Sequence, residues 1–255
     1  MYPEERHEWI REQIKTNKRV EVLELANDLA VTPETIRKDL DLLETTGILK
    51  RVHGGAIVVE RLRFEPNLDS RDLTARVQKE AIAKRALEEI PDGGSIIIDA
   101  GTTTARLASI MPQDRELMIV TNSISIGMIL SPLPNLTILL IGGRLRSKTA
   151  ATVDSWALSA LSEIRVSTAL IGTNGISIER GFTTADPTEA AVKRAMVAAA
   201  KRVIVLADHT KYGDEKFARF ASISEVDLLI TDNGIDEVDR AAMELAGLNV
   251  VVAPS

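Results

Sequence analysis

Along the first sixty residues the apolar positions repeat at helical spacing. Val22, Leu25, Ala26 and Leu29 recur three or four residues apart, which predicts a short helix with one apolar face. Ala30 and Val31 leave room only for a tight connection before Thr32-Pro33, a helix-start pair. The hydroxyl caps free N–H groups, and proline at the first helical position has none to leave unpaired. In the helix that begins at Pro33, Ile36, Leu40 and Leu43 fall on the inner face, so Thr35, Arg37, Lys38 and Asp41 point outward, and Gly47 is the expected stop. Ile48 to Val58 then reads as two short strands around a glycine turn, with Lys50, Arg51, His53 and Gly54 at or near the tip. Two helices, a tight turn and a basic hairpin predict a winged helix-turn-helix, whose outward second-helix face suits duplex DNA.

From Gln78 onward the pattern changes to short apolar runs between helical stretches. The runs Ser95–Ile98, Leu117–Val120, Leu136–Ile141, Ala169–Ile171, Val203–Leu206 and Leu228–Ile230 are continuous rather than alternating. Such runs predict strands buried on both faces of a mostly parallel sheet covered by helices, an α/β fold. Nearly every run ends in small polar residues, and in open sheets of this kind ligands bind outside the carboxyl ends of the strands. Between the two patterns, residues 61–77 carry mixed charge, one proline and no sustained periodicity, which reads as a linker. The expected organisation is a DNA-binding module over 1–60, the linker over 61–77 and an effector-sensing α/β domain over 78–255.

Composition removes several alternatives. With no cysteine and three histidines, neither a disulfide framework, a zinc finger nor a metal or redox centre is expected, and no cofactor is called for. The chain carries 31 Lys+Arg against 37 Asp+Glu, a net charge of −6, which at first argues against a nucleic-acid partner. The distribution reverses that argument. Arg37, Lys38, Lys50, Arg51 and His53 lie in one short segment, while Glu4, Glu5, Glu8, Glu12, Glu21 and Glu24 are expected on helices that face away. Aromatic residues make up 3% of the chain, too few for base-stacking on single strands, so RNA is the poorer partner. No apolar run approaches the roughly 20 residues that cross a bilayer, and the start Met1-Tyr2-Pro3-Glu4-Glu5-Arg6 is charged. A cytoplasmic protein without a membrane partner is expected.

The strand-end cluster with the sharpest chemistry is Asp99-Ala100-Gly101-Thr102-Thr103-Thr104. A strand that opens into glycine and three hydroxyls at a helix start offers free N–H groups, the positive end of a helix dipole and side-chain donors, a combination that suits phosphate. It is neither a Walker loop nor a dinucleotide fingerprint, and an ordinary capped turn is the plainer alternative. In the second cluster, Gly181 to Lys193, Asp186 caps a helix begun by Pro187, and Glu189 with Lys193 sits at i, i+4. That pair is either an exposed salt pair or, beside Gly101–Thr104, a counter-charge for phosphate. Asp208-His209-Thr210-Lys211 adds an acid and a base at another strand end.

The segments T-P-E-T-I-R-K-D-L and L-K-R-V-H-G-G-A resemble the DNA-binding domain of the DeoR family of bacterial transcription regulators. The ordered segments D-A-G-T-T-T, V-T-N-S, I-G-G-R, I-G-T-N-G, G-F-T-T-A-D-P-T-E-A-A-V-K and V-L-A-D-H-T-K-Y-G are similar to the sensor domain of the same family. The resemblance implies a repressor of sugar uptake or metabolism genes, with a sensor fold related to ribose-5-phosphate isomerase and a phosphorylated sugar as effector. Carried across, Thr32, Thr35, Arg37, Lys38, Lys50, Arg51, His53 and Gly54 form the DNA-binding set. Gly101, Thr102, Thr103 and Thr104 would hold phosphate, while Asp99, Asn122, Asp186, Glu189, Lys193, Asp208 and Lys211 would line the rest. Operator DNA, a sugar phosphate and further copies of the chain, as a dimer or tetramer, are the expected partners. The competing reading is a sugar-phosphate isomerase with an appended DNA-binding domain. It needs a general base, for which Asp99, Asp186, Glu189 and Asp208 are candidates; but an enzyme has no use for a winged helix, so no catalytic residue is assigned.

Overall fold

The computed structural model describes residues 2–17, 19–45, 49–52, 54–58 and 68–254. Gly47, Ile48, His53 and the expected linker residues 61–67 lie outside them. The chain divides into two compact units, residues 1–66 and 67–255.

In the first unit, α1 (Pro3–Asn17), β1 (Arg19–Glu21), α2 (Val22–Asp28), α3 (Pro33–Thr45), β2 (Leu49–Val52) and β3 (Gly55–Val58) follow one another. Val22, Leu25, Ala26 and Leu29 pack with Ile36, Leu40 and Leu43 in one core, which Ile10 and Ile14 of α1 complete. The turn between α2 and α3 puts Ala30 at φ 51°, and Thr32 caps α3 by accepting the Thr35 N–H at 3.2 Å. β2 and β3 form the expected antiparallel hairpin, with Gly54 at φ 79° in its turn. The sequence pattern missed β1, which pairs antiparallel with β3 and makes the wing three-stranded. Glu21, expected on a helix, lies in β1 at the start of α2. Gly55 is what lets β1 approach: a Cβ there would lie 2.0 Å from the Val20 carbonyl oxygen.

The second unit begins with α4 (Leu68–Leu73) and α5 (Arg76–Ala86). Residues 68–77, read as linker from the sequence, are therefore α4, a two-residue turn and the start of α5. The chain continues through β4 (Gly93–Ile98), α6 (Thr102–Ser109), β5 (Glu116–Thr121), α7 (Ile124–Leu130) and β6 (Leu136–Leu140). Then come β7 (Arg144–Arg146), β8 (Ala151–Val153), α8 (Ser155–Ser162), β9 (Val166–Gly172), β10 (Gly175–Ser177) and β11 (Gly181–Thr184). The last elements are α9 (Pro187–Ala199), β12 (Ala200–Leu206), β13 (Ala218–Ala221), β14 (Leu228–Asp232), α10 (Glu237–Leu245) and β15 (Val250–Ala253). Seven strands form one all-parallel sheet in the order β15-β14-β12-β9-β4-β5-β6.

Each of the six apolar runs read from the sequence is a strand of that sheet; β15 is the seventh. Alternation along each strand feeds two cores. Ile96 and Ile98 face α5, α6 and α7, whereas Ile97 faces α8, α9 and α10. The short β7–β8 pair and the antiparallel β10-β11-β13 sheet, neither expected, stand beside it. The strand order reverses between β4 and β9: after β4 the chain builds outward through β5 and β6, then returns to the other side of β4. The carboxyl ends of β4 and β9 therefore lie at the topological switch point, the place where open α/β sheets bind ligands.

Candidate functional site

α3 exposes Arg37 and Lys38, and β2 exposes Lys50. Two of the basic residues of this face already have acidic partners. Arg37 pairs with Glu34 one turn back at 3.1 Å, and Arg51 of β2 pairs with Asp41 of α3 at 3.0 Å. The second contact ties the wing to the helix, as does the Glu44 carboxylate, which accepts the Arg51 N–H at 2.8 Å. Inside the unit, Asp39 is buried on the inner face of α3, where Arg6 of α1 donates to it and His7 lies 2.9 Å away. Burial pushes the Asp39 carboxyl up, but the hydrogen bonds and charges of Arg6 and His7 outweigh it and hold it below the ordinary range. The sequence pattern gave this pair no signal, because an aspartate at a core position is recognisable only once its partner 33 residues away is known.

At the switch point of the sheet, Asp99 follows β4 with 1% of its surface exposed. Its carboxylate accepts from Lys193 Nζ and, at 3.1 Å, from the Gly172 N–H at the end of β9. Lys193 also donates to the Gly172 carbonyl at 2.8 Å and lies 5.4 Å from the Phe220 ring centre. Burial pushes Asp99 up, against the pull of Lys193. Lys193 is thus a buried cation clasped by a carboxylate, a carbonyl and an aromatic face. Glu189, one turn earlier, is likewise buried. It accepts from Arg146 of β7 at 3.0 Å and Thr149 at 2.5 Å. The i, i+4 pair of the sequence reading is therefore no salt pair: each member ties α9 to a different strand end. Asp186 caps α9 as expected, accepting the Thr188 and Glu189 N–H groups at 2.8 and 3.2 Å, and Arg146 pairs with it at 3.2 Å.

α6 starts directly above this pair. Its N-terminal residue positions, Gly101 to Thr104, have no side-chain cap, and among the described residues their N–H groups have no acceptor. The Thr104 hydroxyl returns to the Gly101 carbonyl at 3.0 Å, while those of Thr102 and Thr103 have no partner among the described residues. Asn122, after β5, fixes the loop: its side-chain oxygen accepts the Ala100 N–H at 3.1 Å and its nitrogen donates to the Thr152 carbonyl at 3.2 Å. Asp99, Gly101–Thr104, Asn122, Glu189 and Lys193 therefore come together. Asp208 and Lys211 stand apart. They follow β12, two strands from β4 and so roughly 10 Å away. There Asp208 takes the Thr210 N–H at 3.2 Å and lies 3.7 Å from Lys211. Beside them, the buried Asp232 of β14 holds His209 Nδ1 at 2.8 Å. Sequence reasoning missed Arg146, Thr149 and Asp232, whose only signal was closeness to glycine-rich strand ends.

A winged helix on one unit and converging polar strand ends at the switch point of a parallel sheet on the other are the parts of a ligand-responsive transcription regulator. The comparisons with known proteins agree. Residues 6–61 match the model of the DeoR-like helix-turn-helix domain, and residues 74–233 match that of the DeoR C terminal sensor domain. The chain is 37% identical to the HTH-type transcriptional regulator GlpR of Haloferax volcanii over 98% of each chain. It is 36% identical to the HTH-type transcriptional repressor GlcR of Bacillus subtilis over 96% of each. To the glycerol-3-phosphate regulon repressor of Escherichia coli strain K12 it is 33% identical, over 89% of this chain and 90% of that one. Among solved structures, ribose 5-phosphate isomerase A from Neisseria gonorrhoeae is similar over 52% of each chain, at 14% identity and a TM-score of 0.40, too distant to bear on function. The chain belongs to the DeoR family, and it is a DNA-binding transcriptional regulator rather than an enzyme. No helix among the described residues is long and apolar enough to cross a membrane.

Proposed function

We propose that this regulator represses genes of carbohydrate uptake or metabolism in the cytoplasm and is released from its operator by a phosphorylated sugar. The observation that carries the effector reading is the bare N-terminus of α6 at the switch point, with four unpaired N–H groups and two unpaired hydroxyls converging where the dipole favours an anion. The repressors named among its relatives support the same reading. The phosphate sits on Gly101 to Thr104, and the sugar extends over β9 towards Asp208 and Lys211. Lys193 and Glu189 act behind it: they hold Asp99 and the β7–β8 pair in place and do not touch the phosphate.

On the DNA side, Thr35, Arg37 and Lys38 approach base edges, with Thr32 holding the helix start. Lys50, Arg51, His53 and Gly54 lie against phosphates or in the minor groove. Glu34 and Asp41 already occupy Arg37 and Arg51, so these arginines exchange a carboxylate for the nucleic acid on binding. A symmetric operator calls for a dimer or tetramer.

The test is a thermal-shift screen of the full chain against sugar phosphates, since a ligand that binds only the folded state raises Tm. The best ligand is then titrated into Thr103→Val, which removes one hydroxyl donor and keeps the shape. We expect operator affinity unchanged and effector affinity weakened roughly ten- to a hundredfold, the loss of one hydrogen bond to a charged group. Undiminished effector affinity would move the phosphate elsewhere.

A further inference from the structure

The two edges of the large sheet are finished differently. At one edge, β15 is packed by α5 on one face and α10 on the other. At the other, α7 packs on one face of β6, where Leu136 and Ile138 are partly buried, while the apolar side chains at its carboxyl end stay in the open. Leu139 is 44% exposed and Leu140 51%, and beside them Met118 of β5 is 41% and Met128 of α7 69%. The register places Met118 and Leu139 diagonally on the same face. From Leu117 to Gly143 the chain has no charged residue, a run of 27 positions in a protein whose charged fraction is 27%. Burial explains that for the inner positions of β5 and α7, but not for the exposed ones.

The backbone of β6 is also open. The Ile141 N–H donates to the Thr121 carbonyl of β5, so by the alternation of a strand the groups of Ile138 and Leu140 point the other way. β6 ends the sheet and pairs with β5, so among the described residues these N–H groups have no strand partner. Exposed edge strands are ordinarily protected by a charge, a proline or a bulge; Leu136-Thr137-Ile138-Leu139-Leu140 has none of these.

We infer that β6 is the surface through which a second copy of this chain binds, by antiparallel pairing of β6 with β6 about a twofold axis at Ile138. The strand is complementary to itself in that register. Ile138 faces Ile138 of the partner copy and exchanges two N–H···O bonds with it, and each Leu140 N–H meets the other copy's Leu136 carbonyl. Leu140 then packs beside Leu136 on one face, and Leu139 beside Thr137 on the other. Two uncovered edges close into one continuous sheet, and the interface is isologous. This deepens the proposed function, which needs two DNA-binding units per operator, but it is tested without DNA or effector.

Light scattering of the full chain at micromolar concentration is expected to give twice the mass of the 27.8 kDa chain or a multiple of it. In Leu139→Lys/Leu140→Lys, which alters only exposed side chains, the mass should fall to that of the next smaller species with Tm and sugar-phosphate affinity kept. Because the chain has no cysteine, Ile138→Cys provides a single thiol, and a short bifunctional thiol reagent should link two copies of that variant but not of Ser159→Cys on exposed α8. A monomeric wild-type chain, an unchanged mass in the lysine variant, or no cross-link at 138 would each overturn the inference. Failure of the sugar-phosphate screen with these results intact would sink only the effector reading.

Discussion

At the scale of single residues, the consequential pair is Asp99–Lys193. With side chains 2% and 7% exposed, the two charges have almost no water, and each depends on the other. Removing one partner of such a pair typically costs about 3–5 kcal/mol, since a buried charge is left alone. Lys193→Met is therefore expected to lower stability by an amount approaching that range, although an Asp99 carboxyl already pushed up by burial limits the loss by taking up a proton. Asp99→Asn/Lys193→Met should recover much of it. Urea unfolding of the three proteins decides; a Lys193→Met variant as stable as wild type would show that the lysine does not support the carboxylate. A second pair makes a pH prediction. Asp39 is held below its ordinary range in the folded state, so the unfolded chain binds the proton more tightly. Its contribution is complete above the ordinary carboxylate pKa, near about 4, and is lost as pH falls through the lower folded value. Trp9 packs on the core of the N-terminal unit, so its fluorescence in a Trp156→Phe background follows that unit. Acid unfolding should be steep there, and Arg6→Gln should flatten it.

Among elements, the wing shows how a local rule serves a distant contact. Gly54 and Gly55 stand side by side but do different work. Gly54 supplies the positive φ of the hairpin turn, while Gly55 leaves space for β1, a strand more than thirty residues earlier. In Gly55→Ala the Cβ would meet the Val20 carbonyl, so β1 must leave β3. We expect a destabilised N-terminal unit and weaker operator binding, with sugar-phosphate affinity retained; amide exchange at Arg19 to Glu21 would report the loss of pairing. The same contrast explains what was legible in the sequence. α2, α3 and the hairpin could be read because helical period and turn chemistry are local, and the six strands because continuous apolar runs have few other uses. β1, with three residues and no pattern, could not. Nor could the pairing of Lys193 with Asp99, Arg146 with Glu189 or His209 with Asp232, because one-dimensional spacing carries no information about which strand ends become neighbours. The strand-end clusters all fall at the carboxyl end of the sheet; the strand order decided which of them meet.

For the whole molecule, the proposed effector site at α6 raises the question of how a ligand bound there alters DNA binding by another unit. α6 offers a route through side-chain contacts. Its Arg106 grips Asp72 of α4 through both carboxylate oxygens at 2.8 Å, and Glu80 of α5 at 3.0 Å. Lys79, whose amine burial pushes down to about 8, donates to the carbonyls of Arg71 and Thr74 at the end of α4. α4 is also the first described element after the wing strand β3, ten residues on from Val58. On the proposed function, we expect a shift of α6 on filling its N-terminus to be passed through these contacts to α4. A ligand can release DNA only by binding the DNA-competent form more weakly, and the coupling is reciprocal: operator must weaken the effector by the same factor as effector weakens operator. We expect a factor of about 5–150, the usual range of such couplings. Calorimetric titrations of effector into free and operator-bound protein, matched with operator titrations at zero and saturating effector, measure both sides. Arg106→Gln should leave the affinity for each ligand alone near wild type and bring the factor towards one. If operator-bound protein takes the effector as tightly as free protein does, the α6 N-terminus is not the switch, whatever it binds.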